Sequence, residues 1–301
     1  MTPGVGLHIM KTDLRQVVLW MTGALASFVL LAVSIRALAP TLTVFEILAL
    51  RNLGGILILG IYALLSKRQR IGFPRPFTLH LTRNVFHFAG QWAWTTGLTV
   101  LPIATVFALE FTAPAWTVVL SVLWLGERLT WSRVLAVVLG FVGILVILRP
   151  GLTAFDPAGL IVLFAAMMFA VQLTTTKRLT GSNSVLNILF WMNIMQLPMY
   201  LTAAALHDRA PLILPYLTTA TLPAVIGLCI TGLAAHLCVT NAFRHGDAIV
   251  VVPIDFMRIP LITVVGVFLY NEPFDPLVLL GAMVTAAGIV WNIRQESIGN
   301  R

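Results

Sequence analysis

Charged residues are scarce in this chain of 301 amino acids. Lys, Arg, Asp and Glu make up 10% of the sequence, whereas soluble proteins contain about 25%. Hydrophobic residues account for 59%, and they form one run after another of about 20 residues, the length that crosses a bilayer. No soluble core requires such a series of runs. The composition therefore excludes a soluble domain and predicts an all-α integral membrane protein.

Cysteines are few and the common catalytic motifs are missing. Cys229 and Cys238 lie nine residues apart in one predicted helix, so they cannot easily bridge and we expect buried thiols. No zinc-ligand spacing, phosphate-binding glycine loop, nucleophile elbow or HExxH motif occurs. We therefore expect no enzyme, no metal and no cofactor.

Ten stretches are long and apolar enough to cross a membrane, and Pro, Gly and charged clusters separate them. They cover residues 17–38, 43–65, 79–99, 103–125, 132–148, 157–178, 184–206, 218–242, 247–270 and 276–293. Some connections are so short that neighbouring helices must form antiparallel hairpins. The first stretch is longer than the apolar part of a signal peptide and Pro40 follows the apparent cleavage site, so we expect it to be retained.

The basic residues predict the orientation in the membrane. Loops on one side contain thirteen Lys and Arg residues, and loops on the other contain three. Because positively charged loops remain in the cytoplasm, we expect a cytoplasmic (inner) membrane protein with both termini cytoplasmic. The net charge of +8 reflects this distribution and not a nucleic-acid site, since the basic residues form no compact patch. The other three basic residues, Arg51, Arg83 and Arg258, lie within spans.

The chain contains an internal repeat. An offset of 145 residues places residues 89–149 on 234–294 without a gap, with eleven of 61 positions identical. Several unusual residues then coincide: Gln91 with His236, Thr95 with Thr240, Glu110 with Asp255, Phe111 with Phe256, Glu127 with Glu272 and Gly143 with Gly288. Residues 17–150 and 157–293 each hold five spans. An odd number of spans inverts the second repeat relative to the first, as in carriers that work by alternating access.

Several segments resemble a known family. They are Arg51 in the second span, GLTVLPIATVFALEFTAPAW at 97–116, LWLGERLTW at 123–131, GFVGILVILRPG at 140–151 and FLYNEPFDP at 268–276. With them the chain is similar to the EamA-type branch of the bacterial drug/metabolite transporter superfamily. The resemblance implies ten transmembrane helices in two five-helix repeats around a central cavity, formed mainly by the first, third, fourth, sixth, eighth and ninth helices. The second-half segment departs from the first, with NEP in place of GER.

The third span carries polar residues along one face. Asn84, His87, Gln91 and Thr95 follow one another at intervals of three and four residues, which aligns them on a helix. Trp92 and Trp94 flank this face, and His236 is its counterpart in the other repeat. A lone histidine inside a membrane protein is often a packing residue, but a whole polar face directed at lipid would be unfavourable. We expect the face to line an aqueous cavity.

Glu110, Asp255 and Arg258 are the leading substrate or coupling residues. Asp255 and Arg258 are three residues apart and are able to form an ion pair within one helix, which is the alternative to a role in binding. The resemblance makes the helices that carry these residues central. Nearby prolines, such as Pro114, are expected to loosen the backbone for a gate or a simple kink.

Four other polar residues are expected to be structural. Glu46 and Arg51 are five residues apart, or about 140° around a helix, so their partners must lie elsewhere. Arg51 is then expected to fix helix packing. Glu127 and Glu272 lie at hairpin corners, where a carboxylate caps the helix that follows it.

Two classes of function remain: a carrier, and a non-transporting membrane protein such as a lipid-modifying enzyme or an assembly scaffold. The repeat and the paired polar faces favour a carrier. Arginine, carboxylates and tryptophans suit amino acids or their derivatives, nucleoside-like cofactors or flavins. Import and export stay open, as does proton coupling. We expect the bilayer and a small-molecule substrate as partners, no nucleic acid, and a monomer or homodimer.

Cysteine labelling from outside the cell tests the predicted topology. Glu272→Cys should react with a reagent that does not cross the membrane, because the basic residues place this loop outside, and Glu127→Cys should not. The unaltered protein, with Cys229 and Cys238 only, is the control. Labelling at position 127 but not at 272 would overturn the orientation, and labelling at both positions would overturn the inverted repeat.

Overall fold

The computed structural model describes residues 13–66, 71–125, 130–149, 156–180, 182–207, 218–245, 251 and 254–299. Within these ranges the chain forms eleven α-helices and no strand. The helices are α1 (Leu14–Leu38), α2 (Val44–Leu65), α3 (Phe77–Val100), α4 (Ile103–Glu110), α5 (Ala113–Leu125), α6 (Trp131–Leu148), α7 (Ala158–Thr180), α8 (Val185–His207), α9 (Leu222–His245), α10 (Arg258–Tyr270) and α11 (Pro276–Gly299).

Seven of the helices in the described residues are long and apolar enough to cross a membrane, namely α1, α2, α6, α7, α8, α9 and α11. They confirm seven of the ten predicted spans and make the chain a multi-pass membrane protein. Large apolar side chains such as Leu57, Leu145 and Met283 are exposed on the outside of the bundle, where lipid would cover them. Helix α3 has a sufficient length of 24 residues, but its polar side chains leave it outside this set of seven.

The fourth predicted span is not one continuous helix. Helix α4 ends at Glu110, a turn occupies Phe111 and Thr112, and α5 begins at Ala113. Pro114 has no amide hydrogen to donate to the carbonyl group of Glu110, four residues earlier, so a regular helix cannot pass this point undisturbed. The proline interrupts the span, which the sequence predicted as one stretch from 103 to 125 with a backbone loosened for a gate or a kink.

The ninth predicted span is interrupted at the equivalent place. Asp255 lies in a short helical segment, Phe256 and Met257 form a turn, and α10 begins at Arg258. Pro260 cannot donate to the carbonyl group of Phe256. The predicted residues 247–250, 252 and 253 lie outside the described part of the chain. Both breaks thus occur at Phe111 and Phe256, which the repeat alignment pairs.

Helices from the two predicted halves pack against each other. Helix α1 packs on α9, α3 on α7, α2 on α8, α6 on α11, and α4 on α10. The α6–α11 contact is close because it contains glycine: a Cβ atom at Gly143 would lie 2.6 Å from the carbonyl oxygen of Gly281, and one at Gly281 would lie 2.7 Å from that of Gly143. No larger residue fits there without moving the helices apart.

Glu46 is the third residue of α2 and lies at the start of that helix. Its carboxylate accepts hydrogen bonds from the backbone amide of Thr43 and from the Thr43 hydroxyl group, both at 2.9 Å, and its own amide donates to that hydroxyl at 3.3 Å. This is a capping box, which supplies partners to amide groups that have none at a helix start. The carboxylate of Glu46 is therefore engaged at its own helix end.

One end of the bundle, here called the Arg36 end, is joined by ionic contacts. Arg36, near the end of α1, forms an ion pair of 2.6 Å with Glu272. The same guanidinium donates to the carbonyl oxygens of Leu98, at 2.7 Å, and of Leu101. These contacts hold the ends of α1 and α3 to the loop before α11.

Glu272 caps a helix, but not the expected one. Its carboxylate accepts from the backbone amide of Ile103 at 2.9 Å, which is the first residue of α4, whereas the sequence suggested the helix that follows Glu272. The correction has a simple cause: tertiary packing brings the start of α4 and Arg36 to this carboxylate, and together they outweigh a local cap. Glu127, the predicted equivalent, lies outside the described residues.

Candidate functional site

Helix α3 presents a buried polar face, and the members of that face bond to four other helices of the bundle. Its members are Arg83, Asn84, His87, Gln91 and Trp94, all buried. Their hydrogen-bond partners lie on α7, α8, α2 and α4. The predicted polar face therefore looks into the protein and not towards lipid.

Glu110, Asp255 and Arg258 meet as an ion triad, although their helices are far apart in sequence. Arg258 lies 2.5 Å from the Asp255 carboxylate and 3.3 Å from that of Glu110. The indole N–H of Trp94 donates to the second oxygen of Glu110 at 2.8 Å. Arg258 exposes only 4% of its side chain, while Glu110 and Asp255 expose 20% and 21%. The cation is thus enclosed, and the carboxylates form the accessible surface of the triad.

Aromatic rings surround the guanidinium group of Arg258. Its central carbon lies 3.6 Å from the ring centroid of Phe28, 4.9 Å from that of Phe111 and 5.7 Å from that of Phe107. Contacts of this kind attract a cation to the ring face. Phe111 also stacks on Phe256, with ring centroids 4.5 Å apart, so the two helix breaks touch directly.

The two helix breaks position the carboxylates of Glu110 and Asp255 just before the start of a helix. Glu110 and Asp255 each lie three residues before the first residue of a helix, α5 and α10 respectively. The start of a helix carries partial positive charge from its unpaired amide groups, which favours a nearby carboxylate. Broken helices with such charged ends are a common way to build a binding site inside a membrane protein.

A second polar group lies along α3, next to the triad. Arg51 donates a hydrogen bond to the side-chain oxygen of Gln91. His87 is within hydrogen-bonding distance of Gln196, with 3.1 Å between its Nδ1 and the amide oxygen. The rings of His87 and His236 are 6.3 Å apart. The structure therefore gathers His87, Gln91 and His236, together with Arg51, whose expected role was in helix packing.

The two tryptophans beside the polar face are separated. Trp94 holds Glu110, whereas Trp92 stacks on Phe45 of α2, with ring centroids 6.4 Å apart. Two residues correspond to about 200° around a helix, so neighbouring tryptophans at this spacing cannot share one face. Thr95 is buried, and its hydroxyl group has no hydrogen-bond partner within the described residues.

Three contributors were not identified from the sequence, namely Phe28, Arg83 and Gln196. Phe28 is one of 17 phenylalanines and nothing marks it as the ring beneath Arg258. Arg83 donates to Thr176 at 2.9 Å, a contact that depends on tertiary packing. Gln196 did carry a signal, since it shares α8 with the buried amides Asn187 and Asn193, a polar series that a search of the seventh span would have found.

The chain matches a known family over nearly its whole length. The EamA-like transporter family matches residues 15–149 and again residues 157–294. The chain belongs to the EamA-like transporter family. This confirms the resemblance drawn from the motifs, and it makes the protein a membrane transporter and not an enzyme.

Individual relatives of this EamA-like transporter point to small metabolites. An S-adenosylmethionine uptake transporter of Rickettsia bellii is 27% identical over 264 residues, which is 87% of each chain. A riboflavin transporter of Rhizobium johnstonii is 30% identical over 217 residues, covering 72% of this chain and 70% of its own. A solved crystal structure, 16% identical, covers 92% of this chain and 96% of its own with a TM-score of 0.59, so the fold is shared.

The ion triad makes a prediction about stability. Arg258→Met should destabilise the protein by up to about 3–5 kcal/mol, the cost of breaking a fully buried pair, because two partly buried carboxylates lose their cation. Adding Glu110→Gln and Asp255→Asn should restore most of the loss, since no unpaired charge remains. Arg258→Lys keeps the charge without the planar donor fork and should fall between these values. Thermal unfolding in detergent measures the series.

The transport activity of the restored triple variant separates packing from binding. A folded but inactive triple variant would support a role in binding or coupling, and a folded active one would remove the triad from the site. A triple variant no more stable than Arg258→Met would contradict the ion triad itself.

Proposed function

We propose that this EamA-like transporter is a secondary carrier that moves a small organic metabolite across the cytoplasmic membrane by alternating access. The observation that carries the proposal is the ion triad, which combines Glu110 from one half with Asp255 and Arg258 from the other, at the two helix breaks. A group shared by both halves changes its surroundings whenever the halves move relative to each other. Such a group is suited to binding or coupling in a carrier.

The helix contacts support two repeats of five spans. In this proposal α4 and α5 form one span, and α10 with its preceding segment forms another, which gives ten. If the two repeats, residues 17–150 and 157–293, exchange places, each helix takes the position of its counterpart. The α1–α9 contact then corresponds to the α7–α3 contact, and the α2–α9 contact corresponds to the α8–α3 contact. The α2–α8 and α6–α11 contacts turn into themselves. All of these contacts occur, as expected for two equivalent halves related by a two-fold axis.

The ionic contacts at the Arg36 end are consistent with alternating access. Arg36, Glu272 and the amide of Ile103 connect α1, α4 and the loop before α11, and Arg149 forms an ion pair with Asp275 at the same end. A carrier open at the opposite end needs such contacts, and it has to break them when it opens at this end. We further propose that both termini are cytoplasmic and that the carrier is a monomer or a homodimer.

The chemistry of the site limits the substrate. Accessible carboxylates, buried guanidinium groups and aromatic rings suit a molecule that combines charge with an apolar or ring-bearing portion. Two relatives are named as transporters of S-adenosylmethionine and of riboflavin, which are small organic metabolites of similar size. The candidates are amino acids or their derivatives, nucleoside-like cofactors and flavins. The lipid-modifying enzyme and the assembly scaffold have no comparable support among the relatives.

Uptake and efflux assays test the carrier function. Proteoliposomes containing the protein should move at least one member of a panel made of the twenty amino acids, S-adenosylmethionine, adenosine and riboflavin. Glu110→Gln and Asp255→Asn should each lower the flux about tenfold or more, because each removes a charge from the triad. Asp156→Asn changes an exposed carboxylate and should leave the flux unchanged. Flux equal to that of empty liposomes for the whole panel, in both directions, would contradict the proposal.

Proton coupling is a separate part of the proposal. If Glu110 or Asp255 takes up and releases a proton in each cycle, an imposed pH gradient should drive accumulation of the substrate. The neutral replacements Glu110→Gln and Asp255→Asn should abolish this response, because an amide cannot exchange the proton. Normal accumulation by both variants under the same gradient would remove proton coupling and leave facilitated diffusion or exchange.

A further inference from the structure

A groove lies on the outside of the bundle, where α2, α8 and α9 meet. Its volume is about 360 Å³, which exceeds the roughly 150 Å³ of an apolar cavity that binds benzene. Seven of its ten lining residues are apolar. The lining includes four buried leucines, which form its floor, and exposed side chains at its rim, namely Leu59, Leu186, Leu189 and Leu233 in the floor and Tyr62 and Leu237 at the rim.

The groove opens on the side of α9 that lipid covers. Ile226, Ile230 and Leu237 follow one another at intervals of four and seven residues, which aligns them on one face of a helix. All three side chains are exposed. Because Leu237 is also a lining residue, the groove faces the bilayer and is separate from the ion triad.

The polar lining residues of α9 are satisfied within their own helix. The hydroxyl group of Thr240 donates to the carbonyl oxygen of His236 at 2.7 Å, and the side-chain amide of Asn241 donates to that of Leu237 at 2.8 Å. These donors need no ligand. An aliphatic chain therefore suits the groove better than a polar molecule.

In the proposed two-fold arrangement, the equivalent place is filled by aromatic side chains. It lies where α8, α2 and α3 meet. There Phe88 packs on Tyr200, with ring centroids 4.6 Å apart, and Trp92 packs against the same apolar cluster. The offset of 145 residues pairs Phe88 with Leu233 and Trp92 with Leu237. Leucines thus line the groove where the other repeat has larger rings, and the space stays open.

A basic linker adjoins the groove. The segment between α2 and α3 has no acidic residue, and its part that the structure describes packs through Ile71 against the leucines of the floor. The basic residues of the linker are Lys67, Arg68, Arg70 and Arg75.

Hydrogen bonds hold the described part of the linker on the start of α8. The amide of Gly72 donates to the side-chain oxygen of Asn187 at 3.0 Å. The carbonyl oxygen of Arg75 accepts from the side-chain amide of Asn183 at 2.7 Å. The side chain of Arg75 is exposed. A cation therefore lies at the end of the bundle, beside the helix whose first residues line the groove.

The linker and the groove follow one another in the order of a phospholipid. Tyr62 and Ile58 lie three and seven residues before Leu65, the last residue of α2, or roughly 4.5 and 10.5 Å deeper at 1.5 Å per residue. A lipid in the same leaflet has its phosphate at the membrane surface and its acyl chains below it. Basic segments beside a membrane helix attract anionic head groups.

We propose that this groove binds an acyl chain of an anionic phospholipid whose phosphate lies at the basic linker. The lipid belongs to the leaflet at the end of the bundle opposite the Arg36 end, which the basic residues predict to be cytoplasmic. The site lies on the second, seventh and eighth predicted spans and away from Glu110, Asp255 and Arg258. The inference therefore holds whichever substrate the carrier moves.

Leu237→Trp tests the groove, because it introduces the residue that the other repeat carries at the equivalent position. The probes are phosphatidylglycerol, which is anionic, and phosphatidylcholine with the same acyl chains. Phosphatidylglycerol should raise the melting temperature of the unaltered protein in detergent by about 2–4 °C or more. Leu237→Trp should lose most of this rise. Met283→Trp, on the exposed surface of α11, is the matched control and should keep it.

Native mass spectrometry of the purified protein counts the retained lipid directly. The unaltered protein and Met283→Trp should each retain phosphatidylglycerol, and Leu237→Trp should not. Leu233→Phe is a second variant that fills the groove, matching Phe88, and it gives the same test if Leu237→Trp does not fold.

Arg75→Gln tests the head group. It should weaken the binding of phosphatidylglycerol about fivefold, the effect of one basic residue near an anionic surface, and leave the binding of phosphatidylcholine unchanged. Arg15→Gln removes a charge at the same end from α1, which lines no part of the groove, and should leave both affinities unchanged.

Four outcomes would overturn the inference. They are equal lipid binding by the unaltered protein and a folded variant with a filled groove, equal binding of the two lipids by the unaltered protein, and unchanged phosphatidylglycerol binding by Arg75→Gln. The fourth is a dimer that Leu237→Trp converts to a monomer, since a second copy of the chain would then occupy the groove.

Discussion

Polar groups inside a bilayer must find their partners within the protein, because lipid tails offer no hydrogen bonds. The polar side chains of helix α3 find these partners on four other helices. Arg83 bonds to α7, His87 to α8, Gln91 to α2 and Trp94 to Glu110 of α4. Four neighbours are thus fixed around one helix by contacts that cannot be exchanged for solvent. The apolar remainder of the bundle packs around this arrangement and does not itself specify it.

The two helix breaks also allow charged side chains inside the protein to find partners. An unbroken fourth or ninth span would keep its backbone bonds satisfied but would lack the turn that brings its carboxylate to Arg258. Pro114 and Pro260 have no amide hydrogen to donate to the carbonyl groups of Glu110 and Phe256, and the chain turns there. The turns bring Glu110 and Asp255 to one guanidinium, so that three side chains, each unfavourable alone by roughly 2.5–3.5 kcal/mol on insertion scales, satisfy one another.

The sequence predicted the helical class, seven of the observed spans and a transporter family, because these follow from long apolar runs and local motifs. It also identified Glu110, Asp255 and Arg258 as residues of interest, since charges within such runs are conspicuous. It did not place Phe28, which carries no local signal, nor show that Trp92 and Trp94 face different helices. The predicted partner of Glu272 was wrong for a related reason. Its carboxylate contacts the start of α4 and Arg36 of α1, both more than a hundred residues away in sequence. Sequence patterns describe single helices, whereas these contacts are set by how the helices pack.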